Sequence, residues 1–463
     1  MFDRDDLGVD DGAADGLAAD DHSSHHGVRS AELAPPNRAA LDALEAGIDA
    51  AHPRSVIAAR VTIDGDELRV ADRTVDLSEY DEIVVLGGGN AAGRVAAALD
   101  EQIGDRVDGG VVVTDDPASA RAVETVEGTH PLPSESNVTG TRRLLDRARE
   151  CDEGTLALVA VTGGGSALLT APSGDIELDE LVDLTESLLK SGAPIEAINT
   201  VRRAISDVKG GGLAAELAPA TTIGLVFSDV TSDDPAVVAS GPLSPNPTDA
   251  ADALDVLSDY DVDAPSAVVE HLERAAAESS GSAAGPGLDH VSVHVLADGF
   301  TALAAAADAC EDAGYDSLIL SRSVRGEARE AAKTHVALAE EAQRTGNPVS
   351  PPAVVLSGGE TTVTVVGDGT GGPNQEFALS AATDIPEGVV LGAVDTDGID
   401  GATDAAGALV TSETIAGEDD ARAAAAALAD NDAYPYLDER GALLVSGPTG
   451  TNVNDLRVLV VTE

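Results

Sequence analysis

The chain has no tryptophan, and only four phenylalanines and five tyrosines. Any core must therefore be built from aliphatics and alanine, and the 43% hydrophobic content is enough to build one. Lysine is almost missing: Lys190, Lys209 and Lys333 are the only three. Against 27 basic residues stand 83 acidic ones, for a net charge of -56. A surface of that sign repels the phosphates of nucleic acid and of anionic lipid, so neither is expected as a partner. The two cysteines, Cys151 and Cys310, sit in no metal-ligand spacing and make a disulfide framework improbable. Both read as small core residues. No apolar run approaches the roughly 18 residues that span a bilayer. Nor is there a basic stretch followed by an apolar one at the N-terminus, so a cytoplasmic location is expected.

The length calls for two domains. The acidic excess is spread along the chain and would self-repel in dilute buffer, so a salt-rich cytosol that screens it is the expected setting. Residues 1–37 read as a solvated, disordered acidic tail. Its His22, His25 and His26 have no apolar support for a metal site. Beyond Pro35-Pro36, residues 38–51 have helical periodicity. Short β-branched runs at 82–86, 110–114, 156–161 and 222–227 then alternate with helical stretches at 91–103, 140–149 and 178–190. That alternation predicts a parallel sheet covered on both faces. Residues 278–289 read as a loop, followed by a strand at 291–296 and a helix at 300–313. A second α/β unit is expected from about residue 350. In it, 353–356 and 361–366 would flank Ser357-Gly358-Gly359-Glu360 as a hairpin, before a helix at 374–382 and strands at 389–394 and 456–461. The boundaries expected are a tail at 1–37, an N-terminal α/β domain at 38–290, a connecting strand and helix at 291–345 and a C-terminal α/β domain at 346–463.

Ligands in such sheets bind where strands end in glycine-rich loops that lead into helices, because glycine admits a phosphate close to the backbone. The first such loop is Gly87-Gly88-Gly89-Asn90-Ala91-Ala92. It matches the dinucleotide fingerprint G-x-G-x-x-G/A, and Asp115 lies about where a ribose-binding acid belongs. A purely structural tight turn is the lesser reading. In the second, Thr162-Gly163-Gly164-Gly165-Ser166-Ala167, Ser166 either caps a helix or meets a phosphate. The third, Lys209-Gly210-Gly211-Gly212, follows Arg202-Arg203. Basic residues are so rare here that three beside one loop suggest an anionic ligand. The fourth, Ser228 to Asp234, clusters Asp229, Asp233 and Asp234 after a strand, which suits Mg2+ or a catalytic base, or else a solvated acidic turn. The C-terminal half adds Gly358-Gly359-Glu360, Gly371 to Glu376, Asp395 to Gly401 and Gly447 to Asn452. Turn chemistry would account for any one of these, but not readily for all four.

Taken in order, the segments LGGGNAAGRVAAAL, THPLPSESN, TGGGSALL, KGGGLA, FSDVTSDDP and ASGPL resemble the two-domain glycerate kinase family. So do RGEARE, SGGETTV, GGPNQEFAL, DTDGIDGATDAAGA and SGPTGTNVNDL, which extend the likeness to the C-terminal region that the family calls MOFRL. The resemblance runs from about residue 39 to the end. It implies an α/β fold of two domains, a Rossmann-like parallel sheet plus a MOFRL domain, with the active site in the cleft between them. It also implies ATP- and Mg2+-dependent phosphorylation of D-glycerate, usually to 2-phosphoglycerate. The partner expected is thus a small hydroxy acid, and a homodimer is among the assemblies allowed.

On that reading the catalytic positions are Asn90, Lys209, Asp229 and Asp233, with Asp229 and Asp233 on the metal. The nucleotide would lie against Gly88, Gly89, Gly164, Gly165, Ser166, Gly359, Glu360, Asn374 and Glu376. The chain departs from the family pattern at four places. Asn90 and Pro373 replace a lysine and an arginine regarded as catalytic, and Ala204 and Gly212 replace a histidine and an arginine. Either other cations, among Arg94, Arg203, Lys209 and Arg325, compensate, or the chain is a catalytically weak paralogue. A nicotinamide-dependent hydroxypyruvate reductase is the third reading, resting on the first loop.

Overall fold

A computed structural model describes residues 1–2, 33–279 and 287–462. The acidic tail expected at 1–37 lies largely outside these residues. The described chain forms two compact units, one of residues 53–298 and one of residues 1–52 with 299–463.

The 53–298 unit opens with a small antiparallel sheet of β1 (Val61–Asp64), β2 (Glu67–Val70) and β3 (Arg73–Asp76). Its main sheet has six strands, β4 (Glu82–Gly88), β5 (Gly109–Thr114), β6 (Glu124–Glu127), β7 (Thr155–Thr162), β8 (Thr221–Phe227) and β9 (Val291–Ala297). All pairings are parallel and the order is β6-β5-β4-β7-β8-β9. This is the 3-2-1-4-5-6 arrangement of doubly wound dinucleotide-binding sheets, and its direction of winding reverses between β4 and β7. Every residue of β7 is buried, as an unbroken apolar run in a two-sided sheet must be. Four helices, Leu178–Lys190, Ile195–Ala204, Ala250–Asp259 and Ser266–Ser279, share a separate apolar cluster around Leu184, Leu188, Val201, Leu257 and Leu272.

The other unit has a mixed sheet of β10 (Asp316–Glu327), β11 (Ala353–Thr362), β12 (Val389–Asp395), β13 (Gly407–Thr411), β14 (Leu443–Leu444) and β15 (Asp455–Val461), ordered β10-β11-β15-β12-β13-β14. Only β10 and β11 pair in parallel. In place of the hairpin expected at 353–366, β11 runs unbroken through Ser357-Gly358-Gly359-Glu360 to Thr362. Its glycines serve close approach rather than a turn: Gly359 has φ +132°, and a Cβ there would lie 2.2 Å from the Val324 carbonyl oxygen.

The boundaries also differ from those expected. β9 completes the first sheet, and residues 299–345 supply a helix, β10 and another helix to the second unit rather than a connection. The helix Pro35–Ala51 belongs with the C-terminal half, packing on the helix Gly299–Asp312 and on β15. Gly47 allows this, since a Cβ there would sit 2.6 Å from Leu456 and 2.9 Å from the Ala302 carbonyl oxygen.

Candidate active site

The first two glycine loops leave β4 and β7, the strands flanking the reversal point, and they fold against each other. Gly89 donates its N–H to Val113 O, Asn90 to Gly163 O at 2.8 Å and Ala92 to Gly89 O. Ala91 donates to Thr162 Oγ1 at 3.2 Å. These four amides are thus taken within the protein, and the fingerprint loop presents none of them to a pyrophosphate. Gly88 and Gly89 act in packing, with Cβ positions 2.6 Å from Leu169 and 2.2 Å from Thr162 Oγ1. Asp115, the ribose acid of the nicotinamide reading, is half-buried, which raises its carboxyl above the usual range.

The second loop opens onto a cavity of about 450 Å3 at the carboxyl ends of β7 and β8. Gly164 and Ser166 lie in its wall, as does Asp229 from the fourth loop. Gly164 has φ +71°, and a Cβ there would lie 1.5 Å from Asn90 Oδ1, so the loop has room only for glycine. A Cβ on Gly163 would lie 2.5 Å from Asp229 Oδ2. Asn90, Gly163-Gly164 and Asp229 are therefore in direct contact. Ser166 Oγ bonds Ser240 Oγ at 2.9 Å, and Ser240 Oγ donates to Asn199 Oδ1 at 3.4 Å. Ala239 and Ser240 hold positive φ values of 51° and 61°, conformations that cost energy in L residues and are common where a site is held in shape.

Two cations share this cavity. Lys209 is buried, and its Nζ donates to the Leu169 carbonyl at 2.5 Å, just past the short helix Gly165–Leu168 that the second loop begins. Burial, and after it the nearby Arg202 guanidinium, push the Lys209 amine down to about 7. Arg202 lies in the same wall, and its own pKa is lowered by burial. Neither cation has a carboxylate partner among the described residues. In a chain with three times as many acids as bases, two adjoining cations left without acids mark a place for an anion that comes from outside. Of the other candidates, Arg325 lies on β10 in the other unit, and Arg94 and Arg203 are already engaged. Arg94 is paired with Asp116 at 2.5 Å, and Arg203 donates to the Ala236 carbonyl at 2.6 Å. Asp233 does not line the cavity.

In the other unit, Asn374 and Glu376 are buried parts of a polar scaffold. Asn374 Nδ2 donates to Asp455 Oδ1 at 2.7 Å, and Glu376 pairs with Arg329 at 2.7 Å and accepts from Asn431 at 3.1 Å. The Asn374 and Gln375 N–H groups donate to the Asp400 carboxylate at 3.0 and 2.8 Å, which caps the helix Pro373–Ala382. Burial pushes the Asp400 carboxyl up to about 7, these bonds opposing it. Arg457, fully buried, pairs with Asp455 and lies over the Phe377 ring. The Glu360 side chain reaches solvent, yet surrounding protein and then Asp455 raise its carboxyl.

Two family models cover much of the chain. Residues 39–273 match a domain of unknown function, DUF4147, and residues 353–455 match the MOFRL family. The D-glycerate 2-kinase of Thermotoga maritima is 39% identical over 84% of this chain and 93% of its own length. The chain belongs to the glycerate kinase family. The crystal structure of the Thermotoga maritima glycerate kinase superposes with a TM-score of 0.80 at 34% identity, covering 92% of this chain and 99% of that one. A protein of Agrobacterium vitis that carries a hydroxypyruvate reductase name is also 39% identical, over 82% of this chain and 87% of its own.

Within the family frame, the cavity gathers Gly164, Ser166, Lys209 and Asp229 from three separate sequence loops, and Asn90 of a fourth abuts Gly164. Sequence reasoning missed Asn199 and the apolar side of the cavity, formed by Leu132, Leu181, Leu189 and Ile195. The one available signal was the helical spacing of Ile195, Asn199 and Arg202.

Proposed function

We propose that this chain is an ATP- and Mg2+-dependent kinase that phosphorylates D-glycerate on its 2-hydroxyl, in the cytoplasm. The observation that carries the reading is the pair Lys209 and Arg202, cations without carboxylate partners in a cavity at the ends of β7 and β8. The family relationship supplies the reaction class.

Asp229 fits Mg2+ as a single carboxylate in the cavity wall. Among the described residues no group of three or more His, Cys, Asp or Glu is arranged to hold an ion by protein ligands alone. That suits an ion which keeps its waters and takes most ligands from nucleotide phosphates. Bound there, Mg2+ would neutralise charge on the phosphates. We assign it to Asp229 rather than to Asp233. Lys209, anchored beside the second glycine loop, is the cation for the transferring phosphoryl group, taking the part of the lysine that Asn90 replaces. Arg202 holds the acceptor carboxylate, and Asn199, held from behind by Ser240, orients its hydroxyls. The 2-hydroxyl oxygen forms the new bond to phosphorus, the bond to ADP breaks, and the hydroxyl proton leaves to solvent. Positioning and electrostatic stabilisation carry nearly all of such a transfer.

The reductase reading is disfavoured because the fingerprint amides are spent inside the protein. ADP release with and without D-glycerate, with Mg2+ in molar KCl, tests the proposal, with phosphorus NMR to identify the product. Absence of glycerate-dependent ADP would overturn it. Hydroxypyruvate-dependent NADH oxidation would replace it with the reductase.

A further inference from the structure

The cavity has a second character that a three-carbon polar acid does not use. In the 53–298 unit the exposed large hydrophobic residues are Leu132, Leu189, Ile195 and Tyr260, and the first three line this cavity, at 45%, 60% and 50% exposure. Leu181, Thr185 and Leu189 fall four residues apart on the helix Leu178–Lys190, and Ile195, Asn199 and Arg202 fall four and three apart on the helix Ile195–Ala204. Such spacings put each set on one helical face. The second face grades along its length from apolar Ile195, through Asn199, to cationic Arg202. The seven steps from Ile195 to Arg202 rise about 10 Å. One end of the cavity thus offers two cations lacking acids, and the other an apolar wall that water covers at a cost.

We propose that the acceptor site takes 2-hydroxy acids extended by an apolar chain as well as D-glycerate, with Leu132, Leu189 and Ile195 as the residues that set the chain length. The acid's carboxylate lies at Arg202 and its hydrocarbon tail runs along the helix towards Ile195 and Leu189. This rests on the kinase reading for turnover but not for binding. Each methylene moved from water onto the wall is worth about fourfold in affinity. Charge decides the orientation, since the anionic head cannot rest on the apolar end.

The test uses the full chain in molar KCl and D-2-hydroxy acids of three to six carbons alongside D-glycerate. Calorimetric titration without nucleotide reads binding, and ADP release reads turnover. Affinity and kcat/KM should both climb by about fourfold per carbon until the wall is covered. Leu189→Asn and Ile195→Asn, at exposed positions with little consequence for folding, should flatten the series. A flat series in the unaltered protein overturns the inference. So do variants that raise KM for ATP while the acid series persists, which would give the wall to the adenine base. ADP release with D-glycerate beside a flat series would leave the kinase reading standing alone. A climbing binding series without ADP release would sustain the inference and defeat the kinase reading.

Discussion

Lys209 offers the sharpest test of the cavity, because its burial ties charge, pH and binding together. Burial lowers its amine from 10.5 to about 7. At 1.36 kcal/mol per unit, carrying the charge there costs about 5 kcal/mol in the empty protein. The amine gives up a proton on folding at pH values between about 7 and 10.5, so the unfolded chain holds more protons in that window. Stability attributable to this group is therefore complete above 10.5 and lost as pH falls through 7. An anion beside Lys209 restores the charged form, so binding above pH 7 takes up a proton. KM for the anionic substrate should rise by about tenfold per pH unit above that point. Lys209→Met, close in volume, should abolish the slope and lower kcat by about a hundredfold, the loss expected for one electrostatic donor. It should also make the protein more stable than the unaltered chain at pH 6, with the difference vanishing towards pH 10. Steady-state kinetics and chemical denaturation across pH measure all three. A variant with near-normal kcat, or one that keeps the KM slope, would refute the assignment.

Gly164→Ala should lower kcat/KM sharply and destabilise the protein by about 1–3 kcal/mol, because both the positive φ and the Asn90 contact oppose a Cβ. Adding Asn90→Ala should recover part of the stability, by denaturation, and leave the φ cost. Asp229→Asn should raise the Mg2+ concentration for half-maximal activity with a smaller effect on acid binding, read by Mg2+ titration. An unchanged Mg2+ curve would remove Asp229 as its ligand. The net charge of -56 predicts a melting temperature that climbs from dilute buffer to molar KCl, and a salt-independent melt would dismiss the screening argument. Asn90→Lys should raise kcat only if Lys209 does not already fill the missing lysine's role.

Local signals made much of the fold legible. The runs at 82–86, 156–161 and 222–227 became β4, β7 and β8 with one or two residues added at their ends, and the helix at 178–190 has those bounds. Parallel pairing followed from the alternation of elements. Long-range facts did not show: residues 38–51 carry helical periodicity but nothing that says their partner begins at residue 299. The glycines of β11 were misread because turn chemistry and close strand approach both select glycine. In the site, the scarcity of lysine singled out Lys209, whereas the fingerprint loop gave no sign that its amides would be spent on the neighbouring loop. Asn374 and Glu376 stand in a motif that reads as ligand-facing, yet their partners are Asp455, Arg329 and Asn431, far away in sequence.

The helix Pro35–Ala51 carries a consequence for how the protein is made. Thr451 Oγ1 donates to the Ala51 carbonyl at 2.7 Å, and a Cβ on Gly299 would lie 3.3 Å from the Val453 carbonyl oxygen, so the chain leaves and re-enters this unit beside the same short segment. On the ribosome the helix emerges early, but the helix Gly299–Asp312 and the strands β12 and β15 that it packs against are synthesised after residue 298. Its apolar face, with Leu41, Leu44 and Ile48 fully buried in the finished protein, must wait in water while the whole intervening unit is translated and folds. That interval is when a chaperone would find its binding site, and a protein circularly permuted to begin at residue 299, with the old ends joined, would synthesise the helix directly after its partners and shorten the wait.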